Sequence, residues 1–522
     1  MKKLFCAILI TGFISAGVFA QPELDTTFNS TGIQTVSFGI NASGAKVAVQ
    51  PDNKIVLAGS CVPSSSQQCV ARYNEDGSLD TTFGQQGFLV NFGISSSLTA
   101  ALQSDGKIVA GSTKRVDNFP TYTINIALAR YTADGSLDSS FGGGNVFITG
   151  VGMGLASPQA MVIQSDGKIV IVGTSTSWST FPTTGDMGWV IRYLPDGTPD
   201  TSFGNNGLRN IGGIQPFNQS ACTSVAIQPD GKLLLGIRKT TGTGPYMLQR
   251  WNADGSPDPT WGGGDGIVDL PAGNSMSNVR VMPDGRIVGI INSKSIYRFN
   301  PDGSLDTSFD GDGSRPLTGL TSTPYDLAVS ASGKLTMVGP QPNGSATRIS
   351  IYKLKADGSV ETGFGDNGLL SISNPLDPAS DIVSTSCAFD SQGRLVVGGR
   401  AIATPNRFIA LRLVAPPVMP VSVSGRVTDV NGNGVANATV STQGSSAQTS
   451  PFGYYTLNNV QTNRTYIFSV RARNGAAFNK RTILVDDNLT GIDFVGVQID
   501  SRMIQTEEPA PKLAGPSIKK LR

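Results

Sequence analysis

Apolar and polar positions alternate in short runs from Gln21 to Leu413, and the runs come in sets. Between Gly87 and Tyr131 they read GFLVNF (Gly87 to Phe92), LTAALQ (Leu98 to Gln103), KIVAGST (Lys107 to Thr113) and NIALARY (Asn125 to Tyr131). Alternation with a period of two over such lengths predicts half-buried β-strands. The breaks carry Asp-Gly pairs such as Asp105-Gly106 and Asp134-Gly135. A tight turn there needs positive φ and a side chain able to bond its own backbone. Each copy is therefore expected to supply four short antiparallel strands, named A to D in chain order, and long helices have no support.

The set recurs. RYNEDGSLDTTFGQQG (Arg72 to Gly87) returns as RYTADGSLDSSFGGG (Arg130 to Gly144), and the LDTTF element begins at Leu24, Leu79, Leu137, Pro199, Pro257, Leu305 and Val360. A second signature alternates with it: QPDNK at Gln50, QSDGK at Gln103 and Gln164, QPDGK at Gln228, MPDGR at Met282, SASGK at Ser330 and DSQGR at Asp390. Each signature occurs seven times. Seven four-stranded units predict a seven-bladed β-propeller. The ends of the array complement each other, since Leu24 to Phe28 has no preceding RY..DG and the last strand, Phe408 to Leu413, has no following LDTTF. A closed ring explains matching halves, whereas an open solenoid calls for dissimilar caps. Phe83, Phe141, Phe203, Trp261, Phe309 and Phe364 read as wedges between neighbouring blades.

With QPDGK before a strand and RY..DGSLDTTFG after it, the pattern resembles the delta-60 repeat of large exported bacterial proteins. That resemblance covers Gln21 to Leu413 and implies a propeller-like architecture without an assigned activity. Later copies depart from it: Pro257 to Trp261 replaces LDTTF, Lys353-Leu354 replaces Arg-Tyr, and Ser330 to Lys334 lacks the Asp.

Strand direction separates two faces. The B to C turns and D to A connections, which carry the signatures, share one face; the A to B and C to D connections, which differ between copies, share the other. Recognition usually resides in variable connections on a rigid scaffold. The candidate ligand-binding residues are accordingly Phe119 and Tyr122 in the segment from Thr113 to Ile124, Trp178 and Phe181 in Thr174 to Gly188, Phe217 in Gly212 to Cys222, and Asp377 and Asp381 in Asn374 to Ser384. Exposed aromatics suit sugar rings or a protein partner; the alternative is that they cover the blade tops. Trp189, Trp251 and Trp261 occupy strand or repeat positions, and only Trp178 is a loop residue.

Composition adds the address and removes most chemistry. MKKLFCAILITGFISAGVFA (Met1 to Ala20) reads as a signal peptide cleaved before Gln21, with an uncleaved anchor as the alternative. Export without an integral membrane segment follows. Removing Lys2 and Lys3 leaves 38 basic residues against 38 acidic ones, giving no support for nucleic-acid binding. Cys61 and Cys69 bracket a predicted hairpin and are expected to form a disulfide in an exported protein, while Cys222 and Cys387 read as buried small apolar residues.

There is no His, which removes Ser-His-Asp and Cys-His machinery and His-containing metal sites. Of the acids on the variable face, Asp117, Asp186, Asp326, Asp377 and Asp381, none is a Glu. No catalytic residue, metal ligand or cofactor is assigned. Asp310 to Gly313 and Asp429 to Gly434 read as Gly-rich turns, since neither leads to the twelfth-position Glu of an EF-hand.

After a Pro-rich linker (415–421), VSGRVTDVNGNGVANATVST (Val423 to Thr442) and SPFGYYTLNNV (Ser450 to Val460) start a different β pattern. Through Gly425-Arg426-Val427-Thr428-Asp429 and Gly453-Tyr454-Tyr455-Thr456-Leu457 it resembles the carboxypeptidase regulatory-like domain. The resemblance implies a small transthyretin-like β-sandwich over 422–497, a non-catalytic accessory. Tyr454, Tyr455, Tyr466 and Phe468 are expected in its core, with no aromatic platform. Residues 498–522 read as a disordered tail.

The expectation is an all-β chain: signal peptide 1–20, seven-bladed propeller 21–414, then the sandwich. Its expected function is non-enzymatic binding of a protein or glycan partner. The alternatives are a carbohydrate-binding protein or carbohydrate-active enzyme using the same face, and a passive structural element of the cell surface.

Overall fold

The computed structural model describes residues 24–497 apart from 63–66, 92–94, 119–120, 143–146, 150–154, 177–185, 212–219, 240–246, 271–275, 292–294, 415–419, 463, 474–475 and 486–487. Among the described residues there is no α-helix, and the chain forms two compact units that divide after Pro417.

In the first unit the strands form successive four-stranded antiparallel meanders. One runs Asn41–Val49, Ile55–Val62, Gln67–Tyr73, Phe88–Asn91, and the next Ser95–Leu102, Ile108–Asn118, Thr121–Tyr131, Phe147–Thr149. Strand A of each copy therefore joins the preceding sheet as its outer strand, which corrects the assignment of A to D to one blade. The cause is the connection before it. Phe83 N–H donates to Asp80 O at 2.9 Å and Gly87 N–H to Phe83 O at 2.7 Å, a tight reversal that returns the chain alongside the strand it has just left. Ala71 then faces Phe88 and Gln68 faces Asn91.

This shift leaves the last sheet one strand short, and the start of the chain supplies it. Ile33–Val36 pairs antiparallel with Arg407–Arg412, from Ile33 opposite Leu411 to Val36 opposite Phe408. Leu24 bridges Leu413, repeating across the termini the bridges Tyr73 to Leu79 and Tyr131 to Leu137 made within single copies.

The segment from Thr113 to Ile124 was expected as a long connection. Instead Ile108–Asn118 and Thr121–Tyr131 pair without interruption to Asn118 opposite Thr121. Lys-Arg-Val-Asp on one side and Tyr-Thr-Ile-Asn on the other continue the alternation, so the ladder extends past the apolar run that marked its core.

The core lies between neighbouring sheets. Val56, Ala58 and Val70 of one sheet meet Ala110, Ala127 and Ala129 of the next, with Phe83 fully buried among them. All the predicted wedges are buried, and Phe28 joins them at the seam. Cys61 and Cys69 are bonded at 2.07 Å across adjacent strands, and Cys222 and Cys387 are free and buried.

The second unit holds two four-stranded sheets, with Pro420–Thr428 paired to Tyr454–Gln461 and Phe494–Val497 in one and Thr439–Thr442 paired to Ser445–Gln448 and Arg464–Arg471 in the other. Pro420 and Val421 belong to the first strand, opposite Gln461 and Val460. Tyr455, Tyr466 and Phe468 lie in the core. Tyr454 does not: it is 58% exposed against 4% for Tyr455, because adjacent strand residues point to opposite faces and only one of the pair has core parity. With Phe452, also exposed, it leaves aromatic surface where none was expected.

Candidate functional site

One face of the first unit is occupied by a repeated clamp. Arg72, from the third strand of its sheet, donates through Nε to Asp80 Oδ2 at 2.8 Å. The other oxygen, Asp80 Oδ1, accepts the Thr82 hydroxyl at 2.6 Å, and Lys54 of the preceding turn lies 3.1 Å from Oδ2. The guanidinium sits 4.6 Å above the Phe83 ring and reaches the Ala133 carbonyl in the next sheet. Gly135 there has φ +84°, and a Cβ would fall 2.9 Å from the Phe83 ring, so the turn requires glycine both for its conformation and for the wedge beneath it.

The same parts recur with Arg130, Asp138 and Phe141, with Arg192, Asp200 and Phe203, with Arg250, Asp258 and Trp261, and with Arg298, Asp306 and Phe309. Each reaches a carbonyl of the following sheet: Pro195, Ala253, Pro301 and Ala356. At the seam Arg412 takes the role, with Nε 2.7 Å from Asp25 Oδ2, its plane over Phe28, and Nη1 2.5 Å from the Glu75 carbonyl. Lys353 over Phe364 is the departure. The next repeat, after Leu413, runs into Ala415-Pro416-Pro417 and has no Asp-Gly turn to receive a guanidinium. The change from arginine to lysine thus coincides with the copy whose following segment lacks that turn in sequence.

Burial works against ionisation of Asp80, yet the Thr82 hydroxyl, Lys54 and Arg72 outweigh it and hold the carboxyl well below 3.8. At Asp138 the Ser140 hydroxyl contributes most to the same lowering, and at Asp258 the Thr260 hydroxyl and Lys232 overcome burial. A lowered folded value means that the stabilisation is complete above the unfolded value near 3.8 and is withdrawn as pH falls through the folded value. The unfolding midpoint is therefore expected to hold from neutral pH to about pH 5 and to fall steeply below about pH 4. Thermal melts across that range check it, and Asp80→Asn should flatten the slope; an unchanged slope would remove the clamp from the acid response.

The candidate residues were expected on the other face, in the variable connections. Phe119, Trp178, Phe181 and Phe217 lie outside the described residues. Tyr122 is a strand residue opposite Asp117. Asp377 and Asp381 share one connection but are occupied differently. Asp377 is exposed and caps its own turn, accepting Ala379 N–H at 3.0 Å and the Ser380 hydroxyl at 2.5 Å, and the Ser380 bond is the chief cause of its lowered pKa. Asp381 Oδ1 accepts the Thr347 N–H at 2.6 Å, tying the connection to the neighbouring sheet. Both carboxylates thus have structural duties. Two exposed apolar residues on this face went unremarked in the sequence: Tyr325 at 48% and Leu376 at 42%.

Sequence reasoning also missed a cavity. The residue four places before each B to C turn, namely Lys46, Thr99, Ala160, Ser224, Asn278, Asp326 and Ser386, comes from the inner strand of each sheet, and together these residues line a cavity of about 380 Å³. Register shifts beside Ala45, Ala160, Ser224, Arg280 and Ser386 bend these strands around it. The signal was available in the constant spacing to the turn. Asp326, counted in the sequence among variable-face acids, sits in this wall.

Residues 50–83, 103–141, 164–203 and 283–309 match a family described as a domain of unknown function (DUF5122) beta-propeller. No curated protein matches the chain. Among solved structures, YCF48 bound to D1 peptide aligns at TM-score 0.41 with 12% identity over 76% of this chain and 100% of that one. The WD40 beta propeller domain of Doa1 aligns at 0.37, with 13% identity over 73% and 97%, and polysaccharide lyase Uly1 at 0.42, with 10% identity over 71% and 90%.

Proposed function

We propose, from the premise that this chain is a β-propeller repeat protein, that it is an exported, non-enzymatic binding protein. In this reading residues 21–414 form seven blades, 422–497 a carboxypeptidase regulatory-like sandwich, and a protein or glycan partner docks on the face of variable connections. The observation that carries the reading is the inequality of the two faces. On one, the charged and aromatic side chains of the repeat are consumed in joining sheet to sheet, as Arg72, Asp80, Lys54 and Phe83 are. On the other, connections differ from copy to copy and expose Tyr325 and Leu376. Variation on a rigid frame is where specificity is built.

The test compares the secreted parent with Tyr325→Ala/Leu376→Ala and with Trp178→Ala/Phe119→Ala, on a glycan array and in affinity capture from the native surroundings. Loss of a partner by about tenfold or more with an unchanged melting temperature is expected, since truncating an anchor at a partner surface commonly costs about 1–2 kcal/mol. Partners retained by every variant would move recognition elsewhere. Turnover of a captured glycan, abolished by Asp377→Asn or Asp381→Asn, would replace the non-enzymatic reading.

A further inference from the structure

Three residues of the cavity ring spend their side chains on joining neighbouring inner strands. Ser386 Oγ accepts the Val47 N–H at 2.8 Å, Ser224 Oγ accepts the Val279 N–H at 3.4 Å, and Asp326 Oδ2 accepts the Cys387 N–H at 3.1 Å. Lys46 stands at the equivalent place, is only half-buried, and has no hydrogen bond or ion pair among the described residues. Two residues further along the inner strand, the repeat places alanine at Ala48, Ala101, Ala226, Ala328 and Ala388 and valine at Val162, but in one sheet that position is Arg280. A cation has been set where the other copies keep an uncharged apolar residue.

Arg280 is not fully spent. Its Nη2 lies 2.7 Å from Asp326 Oδ1 and its Nη1 donates to the Val279 carbonyl at 3.0 Å, which leaves further N–H groups of the planar fork on a side chain 35% exposed. The one carboxylate among the described lining residues, Asp326, is already satisfied by Arg280 and by the Leu327 and Cys387 amides. The lining therefore keeps the charge of Lys46 uncompensated. Both cations act on one buried group: burial and Asp326 raise the Cys387 thiol while Arg280 and Lys46 pull it down, so charges from separate sheets converge on the same part of the cavity.

We propose that this cavity binds a small anion, through a carboxylate or phosphate group held by Lys46 and Arg280, with the side-chain carbonyl oxygens of Gln159 and Asn278, whose nitrogens donate to Ser157 Oγ and the Tyr325 carbonyl, left to accept from its hydroxyls. A pocket of about 380 Å³ falls at the small end of the usual range for organic ligands. Charge-assisted bonds to a lysine and a forked guanidinium are the strong polar contacts for either group. This site is separate from the variable connections, and its ligand is of a different size class from the partner proposed there.

Titration calorimetry of the full secreted protein with inorganic phosphate, glucuronate and glucose tests it. At least one of the two anions should bind with a Kd below about 1 mM, and glucose at least tenfold more weakly. Which anion binds separates the two sources of the charge. Lys46→Met should weaken the anion tenfold or more, Lys46→Glu should abolish it, and both should leave the melting temperature unchanged because Lys46 holds nothing together. Leu376→Ala should leave anion binding as it was. No anion binding in the millimolar range, equal binding of glucose, or binding indifferent to Lys46→Glu would each overturn the assignment, without touching the proposal for the outer face.

Discussion

Deleting residues 24–36 is expected to lower the unfolding midpoint drastically and to yield soluble aggregates, although less than a tenth of the first unit is removed. The segment contributes the fourth strand of the last sheet and the fully buried Phe28, which sits against Gly77 of the adjoining sheet. Loss of a buried phenylalanine alone costs about 3–5 kcal/mol. The deletion also uncovers Arg407–Arg412 as an unpaired edge, a template for pairing with other chains. Urea denaturation and light scattering check both effects, and a synthetic peptide of residues 21–40 added in trans should restore part of the midpoint. A deleted chain that melts with the parent would mean that the ring does not depend on its seam.

Arg412→Met should cost about 3–5 kcal/mol, because it removes the closest cation from the Asp25 carboxylate, in a site both residues share almost without solvent, and leaves it only Arg394 at 3.7 Å. Lys353→Met should cost less, about 0.5–1 kcal/mol, since that lysine over Phe364 is half-buried and its charge stays partly in contact with water. The contrast is the informative quantity, because the two residues occupy the same place in successive copies. Arg412→Met combined with Asp25→Asn should recover part of the loss by removing the under-compensated charge, and a double-mutant cycle by urea denaturation measures that coupling. Equal costs at Arg412 and Lys353 would deny the seam its distinct role.

Much of the local structure was legible from single copies. The Asp-Gly turns appear as expected, with Asp76 Oδ1 accepting the Ser78 N–H at 2.8 Å, and Asp80 does the same for Thr82 in LDTTF at 3.1 Å. These bonds span two residues, so their chemistry is contained in the turn itself. The candidate site was legible only in part. Tyr122 was assigned to a connection because it lies before the apolar run that starts at Asn125, yet polar residues extend a hairpin readily once its ladder is in register. Asp326 was counted with the variable connections, though its distance from the turn places it in the cavity wall.

What the sequence determined by itself was the period, the strand content, the identity of the turns and the buried aromatics, because each depends on residues a few places apart. What the tertiary structure decided was which sheet each outer strand joins, what the repeated arginines reach, and that seven residues of six kinds meet around one cavity. Every copy presents nearly the same edges and the same polar groups, so pairing within a copy and pairing with its neighbour are equally compatible with the text. The choice is made only when the tight reversal after each wedge and the docking of Ile33–Val36 on the final sheet give that sheet its fourth strand.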